Sequence, residues 1–263
     1  MDYSSILLEI LHWFDTYTAS FQGIDQECDN AVILKYDHTR RVCENTEIIS
    51  ASIGSGIRES ALSKIIAILH DVGRFDQFLK YRTFSDHLSV NHAELAIQII
   101  DENKILKSLS IADADIIKTA ILSHSVKILP PTIDTFNKRF CNIIRDSDKL
   151  DILHIATSHY KNPDIERKSF ELGLTDNSIY SPEVCETVYS GRMVDYKSIR
   201  YLNDFKLAQI AWVYDLNFPC SFKLMYDRGY FQILSSELPQ TDEVQRAVDK
   251  AEKFLMTNIE NSG

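Results

Sequence analysis

At 263 residues, with 8 glycines and 6 prolines where average usage gives roughly 18 and 13, the chain can bury a large core and is poor in breakers. That composition predicts an all-α fold over a turn-rich β architecture. A formal net charge of −10 argues against a broad basic face for long nucleic acid, yet still admits a small anionic substrate drawn to bound cations. The five cysteines (Cys28, Cys43, Cys141, Cys185, Cys220) are dispersed with no CxxC pair, the pattern of reduced thiols in a cytoplasmic protein. The start, Met1-Asp2-Tyr3-Ser4-Ser5, lacks the basic and apolar stretches of a signal peptide. No window approaches the ~18 apolar residues that cross a bilayer.

Ile6 to Phe14 carries apolar residues at helical spacing and predicts a first helix, with His12 structural inside the stripe. A second helical region runs from about Asp25 to Ile53. Asp37 is a candidate cap for a new helix starting at His38, which would leave that ring free at a helix start. Gly54-Ser55-Gly56 ends the region. Glu59 to Val72 then predicts a buried helix that delivers His70 and Asp71, with Gly73 suited to ending it. Phe75 to Phe84 is aromatic and basic, a short helix and loop. Leu88 to Glu102 and Asp113 to Ser125 predict two further helices, the second closing near His124. Pro130-Pro131 forces a break, and Asp134 to Tyr160 predicts a long helix containing Asp146, Asp148 and Asp151.

Beyond it the sequence says less. Lys161 to Gly191 is mixed and polar with short helices, while Leu202 to Leu216 and Glu243 to Met256 predict amphipathic helices. No repeat, low-complexity tract or clear linker is visible. The expected organisation is a helical core over 1–160 and a helical extension over 161–263 packed on it, with a homodimer interface or a lid as candidate uses for the extension.

His38, His70, His92 and His124 sit at or near expected helix ends, and Asp71 and Asp148 join them. A solitary buried histidine is usually neutral and hydrogen-bonded. Four imidazoles converging with two carboxylates need a cation to balance the acids and use the lone pairs. Neighbours on a helix point about 100° apart, so His70 and Asp71 share a site most easily if the carboxylate bridges two ions while the imidazole binds one.

The order His38, His70-Asp71, His92, His124, Asp148 resembles the HD-domain superfamily of metal-dependent phosphohydrolases over about residues 30–155. The two histidines between the His-Asp pair and the last Asp resemble its two-metal members. That resemblance implies an HD-type helical bundle. It places one ion on His38, His70, Asp71 and Asp148 and a second on His92 and His124, with Asp71 bridging. It also selects Asp148 over Asp146 and Asp151. The pair continues as Val72-Gly73-Arg74, similar to the His-Asp-x-Gly-Lys of the cyclic-di-nucleotide phosphodiesterases. Arg replaces Lys, and no Gly-Tyr-Pro tripeptide follows, which makes cyclic-di-GMP a poor substrate.

Imidazole and carboxylate ligands without thiolate suit Mn, Fe, Co, Ni or Zn, with Mg disfavoured. A water held between two such ions is an effective nucleophile near neutral pH. The expected reaction is therefore hydrolysis of a phosphate ester of a small molecule or nucleotide, with Asp71 at its centre. Arg74 is a bidentate phosphate clamp or else a helix C-terminal cation, and Arg82 and Lys149 are further substrate-binding candidates. Lys35, Arg41 and Lys127 are weaker ones. His87 reads as surface, and His154 and His159 lie too far along the long helix to join the same ions. Two alternatives stand beside hydrolysis. One is an HD-type di-iron oxygenase acting on a polyol or phosphonate, marked by a gating Tyr or Glu upstream of His38, for which Glu27 and Tyr36 are the candidates. The other is a nucleotide-binding signalling module.

Overall fold

The computed structural model describes residues 2–161, 174 and 178–260, and these form twelve α-helices and three short 3-10 helices with no strand among them. The all-α expectation is met. The chain divides into two compact units, Met1–Asp148 and Lys149–Gly263. The first holds α1 (Tyr3–Ala19), α2 (Gln26–Ser52), α3 (Ile57–Leu69), α4 (Gly73–Tyr81), α5 (His92–Glu102) and α6 (Ile111–Ser123). The division falls inside α7 (Thr135–Lys161). The second unit adds α8 (Pro182–Tyr189), α9 (Leu202–Ile210), α10 (Pro219–Asp227), α11 (Tyr230–Ser236) and α12 (Asp242–Glu260).

In the first unit α3 is the axis of the core. Leu62, Ile65, Ile66, Ala67, Ile68 and Leu69 are all at most 1% exposed, so the helix is covered on nearly every side. It packs against α1, α2 and α6, and α4 and α5 pack on each other. Asp113 of α6 ties three of these elements together. Its carboxylate accepts from Tyr3 Oη of α1 at 2.9 Å and from Arg58 of α3 through Nε at 2.9 Å and through a second guanidinium nitrogen. In the second unit α9 plays the matching part, with every residue from Leu202 to Ile210 buried. Asp204 fixes its start by accepting from the backbone N–H groups of Ser181, Arg200 and Tyr201 and from the Ser181 hydroxyl.

Several boundaries differ from the sequence expectation, each for a local reason. There is no new helix at His38. α2 runs unbroken from Gln26 to Ser52 because no Gly or Pro interrupts it, and Asp37 is simply on its exposed face. The His-Asp helix ends three residues early, at Leu69, and Gly73 does not end it but opens α4. Glycine is required there for space: a Cβ would collide with the carbonyl oxygen of His92 and lie 2.8 Å from the Ala96 nitrogen, so α4 and α5 cross backbone to backbone. The next helix starts at His92 rather than Leu88, since the Asn91 side chain caps it by accepting from the N–H groups of Ala93 and Glu94. Ser110 caps α6 two residues earlier than expected. The expected Leu202–Leu216 helix tightens after Ile210 into a 3-10 turn over Ala211–Asp215. Helices α10 and α11, each short and opening after Phe218 or Gly229, were not anticipated. Of the Lys161–Gly191 stretch, α8 bears out the expected short helices, and residues 162–173 and 175–177 lie outside the described residues. No described helix is long and apolar enough to cross a membrane.

Candidate metal centre

Each side chain of the cluster reaches one point by a different backbone device. His38 projects from the middle of α2, not from a helix start, on the same face as Thr39 and Val42, and is 2% exposed. His70 caps the C-terminus of α3 with a backbone still in the helical region, and Asp71 follows in the short turn that leads into α4. His92 is the first residue of α5, and His124 caps the C-terminus of α6. Asp148 lies in α7, whose register against α2 is fixed next door: Asn45 Nδ2 donates to the Ser147 carbonyl at 3.0 Å, and the Thr46 hydroxyl donates to Ser147 Oγ at 2.9 Å. Arg145, one turn earlier, donates to the carbonyls of Ser123 and Val126 and so closes the end of α6 beside His124.

The six groups converge in two subsets, one on each oxygen of Asp71. His38 Nε2 lies 3.5 Å and His70 Nε2 3.8 Å from Asp71 Oδ2, and the same two nitrogens lie 3.2 and 3.9 Å from Asp148 Oδ1. His92 Nε2 and His124 Nε2 lie 3.5 and 3.8 Å from Asp71 Oδ1 and 3.0 Å from each other. The sets His38-His70-Asp71, His70-His124-Asp148 and Asp71-His92-His124 each bring their ligand atoms within 4.8 Å of one another.

Outer partners aim these rings. His70 Nδ1 donates to the Ala67 carbonyl at 2.8 Å, His124 Nδ1 to the Ile121 carbonyl at 2.6 Å, and His92 Nδ1 to Asp86 Oδ2 at 2.6 Å. A ring that donates from Nδ1 presents the Nε2 lone pair, the tautomer a cation needs. Electrostatics agree. Burial pushes the pKa of His70 down and that of His124 down to about 3, so both rings are neutral at physiological pH. Burial alone would raise Asp71, but Lys35, His70, Arg74 and His92 outweigh it and hold the carboxylate well below its usual range. Asp148 is likewise held low, burial being overcome by His38, His70 and His124. Neutral imidazoles at His70 and His124 facing ionised carboxylates, with only Asp148 partly exposed, belong to a donor set that fits divalent cations.

Two cations flank Asp71. Lys35 of α2, one turn before His38, places Nζ 2.7 Å from Asp71 Oδ2. Arg74 places Nε 3.5 Å from Asp71 Oδ1, and that N–H is buried without a hydrogen-bond partner. The other end of the guanidinium donates to Gln77 Oε1 at 2.9 Å, to the Phe84 carbonyl and to Asp86 Oδ1 at 2.8 Å. Arg74 therefore stands in the first turn of α4 and is no C-terminal cation. Asp86 joins the network to His92, and its pKa falls to about 2 because the His92 and Arg74 contacts outweigh its burial.

Other candidates sit elsewhere. Arg82 pairs with Asp25 at 2.8 Å and donates to Cys28 Sγ. Lys149 pairs with Asp215 at 2.7 Å within the second unit. His87 is exposed, and His154 meets the edge of the Tyr230 ring. Asp146 and Asp151 are both buried. Sequence reasoning gave Lys35 little weight and passed over Asp86 and Gln77. The spacing of Lys35 one turn ahead of His38 was a usable signal. Nothing in the sequence marks Asp86, whose role depends on a 3-10 turn (Asp86–Leu88) folding back onto α4.

The HD-domain family model matches residues 36–187, more than half of the chain, and the chain belongs to that family. The match extends past the stretch on which the motif was legible. No curated protein and no solved structure gives a significant match. Family and cluster together indicate divalent-metal binding.

Proposed function

We propose that the chain is a metal-dependent phosphohydrolase that uses His38, His70, Asp71 and Asp148 for one divalent ion and His92, His124 and Asp71 for a second. The observation that carries this reading is the division of labour at Asp71, whose two oxygens each face a separate pair of imidazoles. A pair of bound ions would supply an activated water and polarise a phosphoryl oxygen. Manganese, iron, cobalt, nickel and zinc suit these donors better than magnesium.

The chain's own residues supply the rest. Asp71 and Asp148 balance cationic charge, and the Nδ1 hydrogen bonds of His70, His92 and His124 keep their rings oriented. Arg74 has one N–H left unpaired at Asp71, while its far end is locked by three acceptors, so it is preorganised to receive a phosphate oxygen. Lys35 neutralises Asp71, and cations taking over that carboxylate would release its ammonium to the substrate. With a net charge of −10, attraction of an anionic substrate depends on this local group of cations. The substrate is a small phosphorylated compound.

The same ligand types also serve oxygen chemistry, but the residues expected to gate it are engaged elsewhere: Tyr36 donates to Asp15 at 3.0 Å and Glu27 lies 3.8 Å from Arg82. That favours hydrolysis. The deciding experiment measures metal per chain, oxygen uptake and phosphate release on one sample purified without chelator. The expected result is about two ions per chain and phosphate release without oxygen demand. Substrate-dependent oxygen consumption, or failure to hold about one ion after reloading, overturns the reading.

A further inference from the structure

Gln77 of α4 is fully buried, and its amide is engaged on both sides. Oε1 accepts from Arg74 Nη1 at 2.9 Å, while Nε2 donates to Asp86 Oδ1 at 3.0 Å, to Ser89 Oγ at 2.8 Å and to the Val90 carbonyl at 2.9 Å. These neighbours dictate which way the amide points. A guanidinium only donates, a carboxylate and a carbonyl only accept, and the Ser89 hydroxyl gives its proton to the Ser85 carbonyl at 2.7 Å. Asp86 accepts from Arg74 Nη1 on one oxygen and from His92 Nδ1 on the other. Arg74 Nη2 in turn lies 3.4 Å from His92 Nε2. Arg74, Gln77, Asp86 and His92 therefore close a ring of contacts that joins the phosphate clamp to a metal ligand.

We propose that Gln77 is a positioning residue, whose single amide holds Arg74 and the His92 ring in one fixed register by accepting from the first and donating to the carboxylate behind the second. The inference rests on the phosphohydrolase reading and deepens it, since anion binding and metal binding then share one group. A primary amide is what the position demands. Glutamate would keep the acceptor for Arg74 but set its charge against the Asp86 carboxylate and the Val90 carbonyl, and methionine would meet neither side. At 0% exposure no solvent replaces a lost partner. Without the amide, Asp86 loses the donor that aims it at His92, and Arg74 loses one of the acceptors that fix its far end.

The test is a double-variant cycle on the full chain, read by zinc affinity against a chromogenic chelator and by calorimetric binding of inorganic phosphate to the zinc-loaded protein. Gln77→Met should weaken zinc binding about tenfold, the lower end of the loss that follows removal of a group behind a ligating histidine. Phosphate binding should weaken by about tenfold as well. In an Asp86→Ala background the same substitution should leave zinc affinity unchanged, because the group it acts through is gone. A merely structural role would lower the melting temperature, leave both affinities of the folded protein intact, or add its loss to that of Asp86→Ala. Gln77→Glu, nearly identical in size, goes through the same cycle with the same expectations should the methionine variant not fold. Unchanged affinities, additive losses, or failure of both variants to fold with zinc present overturn the proposal alone. A wild-type chain that holds no zinc, or holds zinc and no phosphate, overturns the hydrolase reading together with it.

Discussion

Asp71 is the residue on which the cluster depends, and its neighbours show why. Each carboxylate oxygen meets its own imidazole pair, while Lys35 and Arg74 keep the group ionised. Asp71→Asn preserves shape and removes charge, so it should lower metal content from about two ions per chain to less than one and abolish phosphate release with it. Metal analysis beside a phosphate assay reads both, and full turnover by a metal-free variant would refute the mechanism. Asp86 acts one step away, by fixing the Nδ1 proton of His92. Asp86→Ala should weaken metal binding about 10–100-fold, as loss of a carboxylate behind a ligating histidine does elsewhere. A competition titration against a chromogenic chelator measures this, and unchanged affinity would show that the contact is incidental.

Helices reach the site only because their ends are specified. The crossing of α4 and α5 at Gly73 admits no Cβ, and His92 is the very residue whose carbonyl stands in the way. Gly73→Ala should cost about 1–3 kcal/mol by overpacking and also displace His92. Urea unfolding and metal titration would detect the two effects separately, and a fully stable variant with unchanged metal affinity would contradict the crossing. The Asp113 tie among α1, α3 and α6 makes a pH prediction. Burial raises the Asp113 pKa, but hydrogen bonds from Arg58, Tyr3 and Ser110 prevail and the folded value lies below the ordinary one. A carboxylate shifted down stabilises the fold above its unfolded pKa of about 3.9 and loses that contribution as pH falls through the folded value. Asp113→Asn should therefore lower the melting temperature at neutral pH and narrow its gap to wild type as pH drops below about 4. A gap independent of pH would assign the loss to packing.

Among the described residues, the group of acids and imidazoles sits in the unit Met1–Asp148, next to the buried second half of α3. Ions that bind only the folded form stabilise it by mass action, by about 2.7 kcal/mol at a hundredfold excess over the dissociation constant. Chelator treatment should consequently lower the melting temperature by several degrees and readdition of manganese or zinc should restore it. No shift in either direction would mean that the centre is not a metal site. The family match, 36–187, crosses the boundary between the two compact units, while all six residues of the cluster fall within Met1–Asp148.

How much of this the sequence carried follows from the range of the forces involved. Helix content and the buried His-Asp helix were legible because periodicity and breaker scarcity are local properties, while the six candidate ligands, Asp148 above all, were selected by their resemblance to the HD pattern. Places where local signals mislead are equally physical. Asp37 can cap a helix and Gly73 can end one, yet α2 runs on because nothing interrupts its hydrogen-bond ladder, and Gly73 is used for the contact it permits. Lys35 joined the site through a partner far along the chain, Asp71, whereas Asp86 and Gln77 joined it through near neighbours that the Asp86–Leu88 turn folds together. The sequence by itself determined which groups could bind a cation. Tertiary structure decided which oxygen of Asp71 each imidazole faces and which cations flank it, because those depend on where helices from distant segments meet.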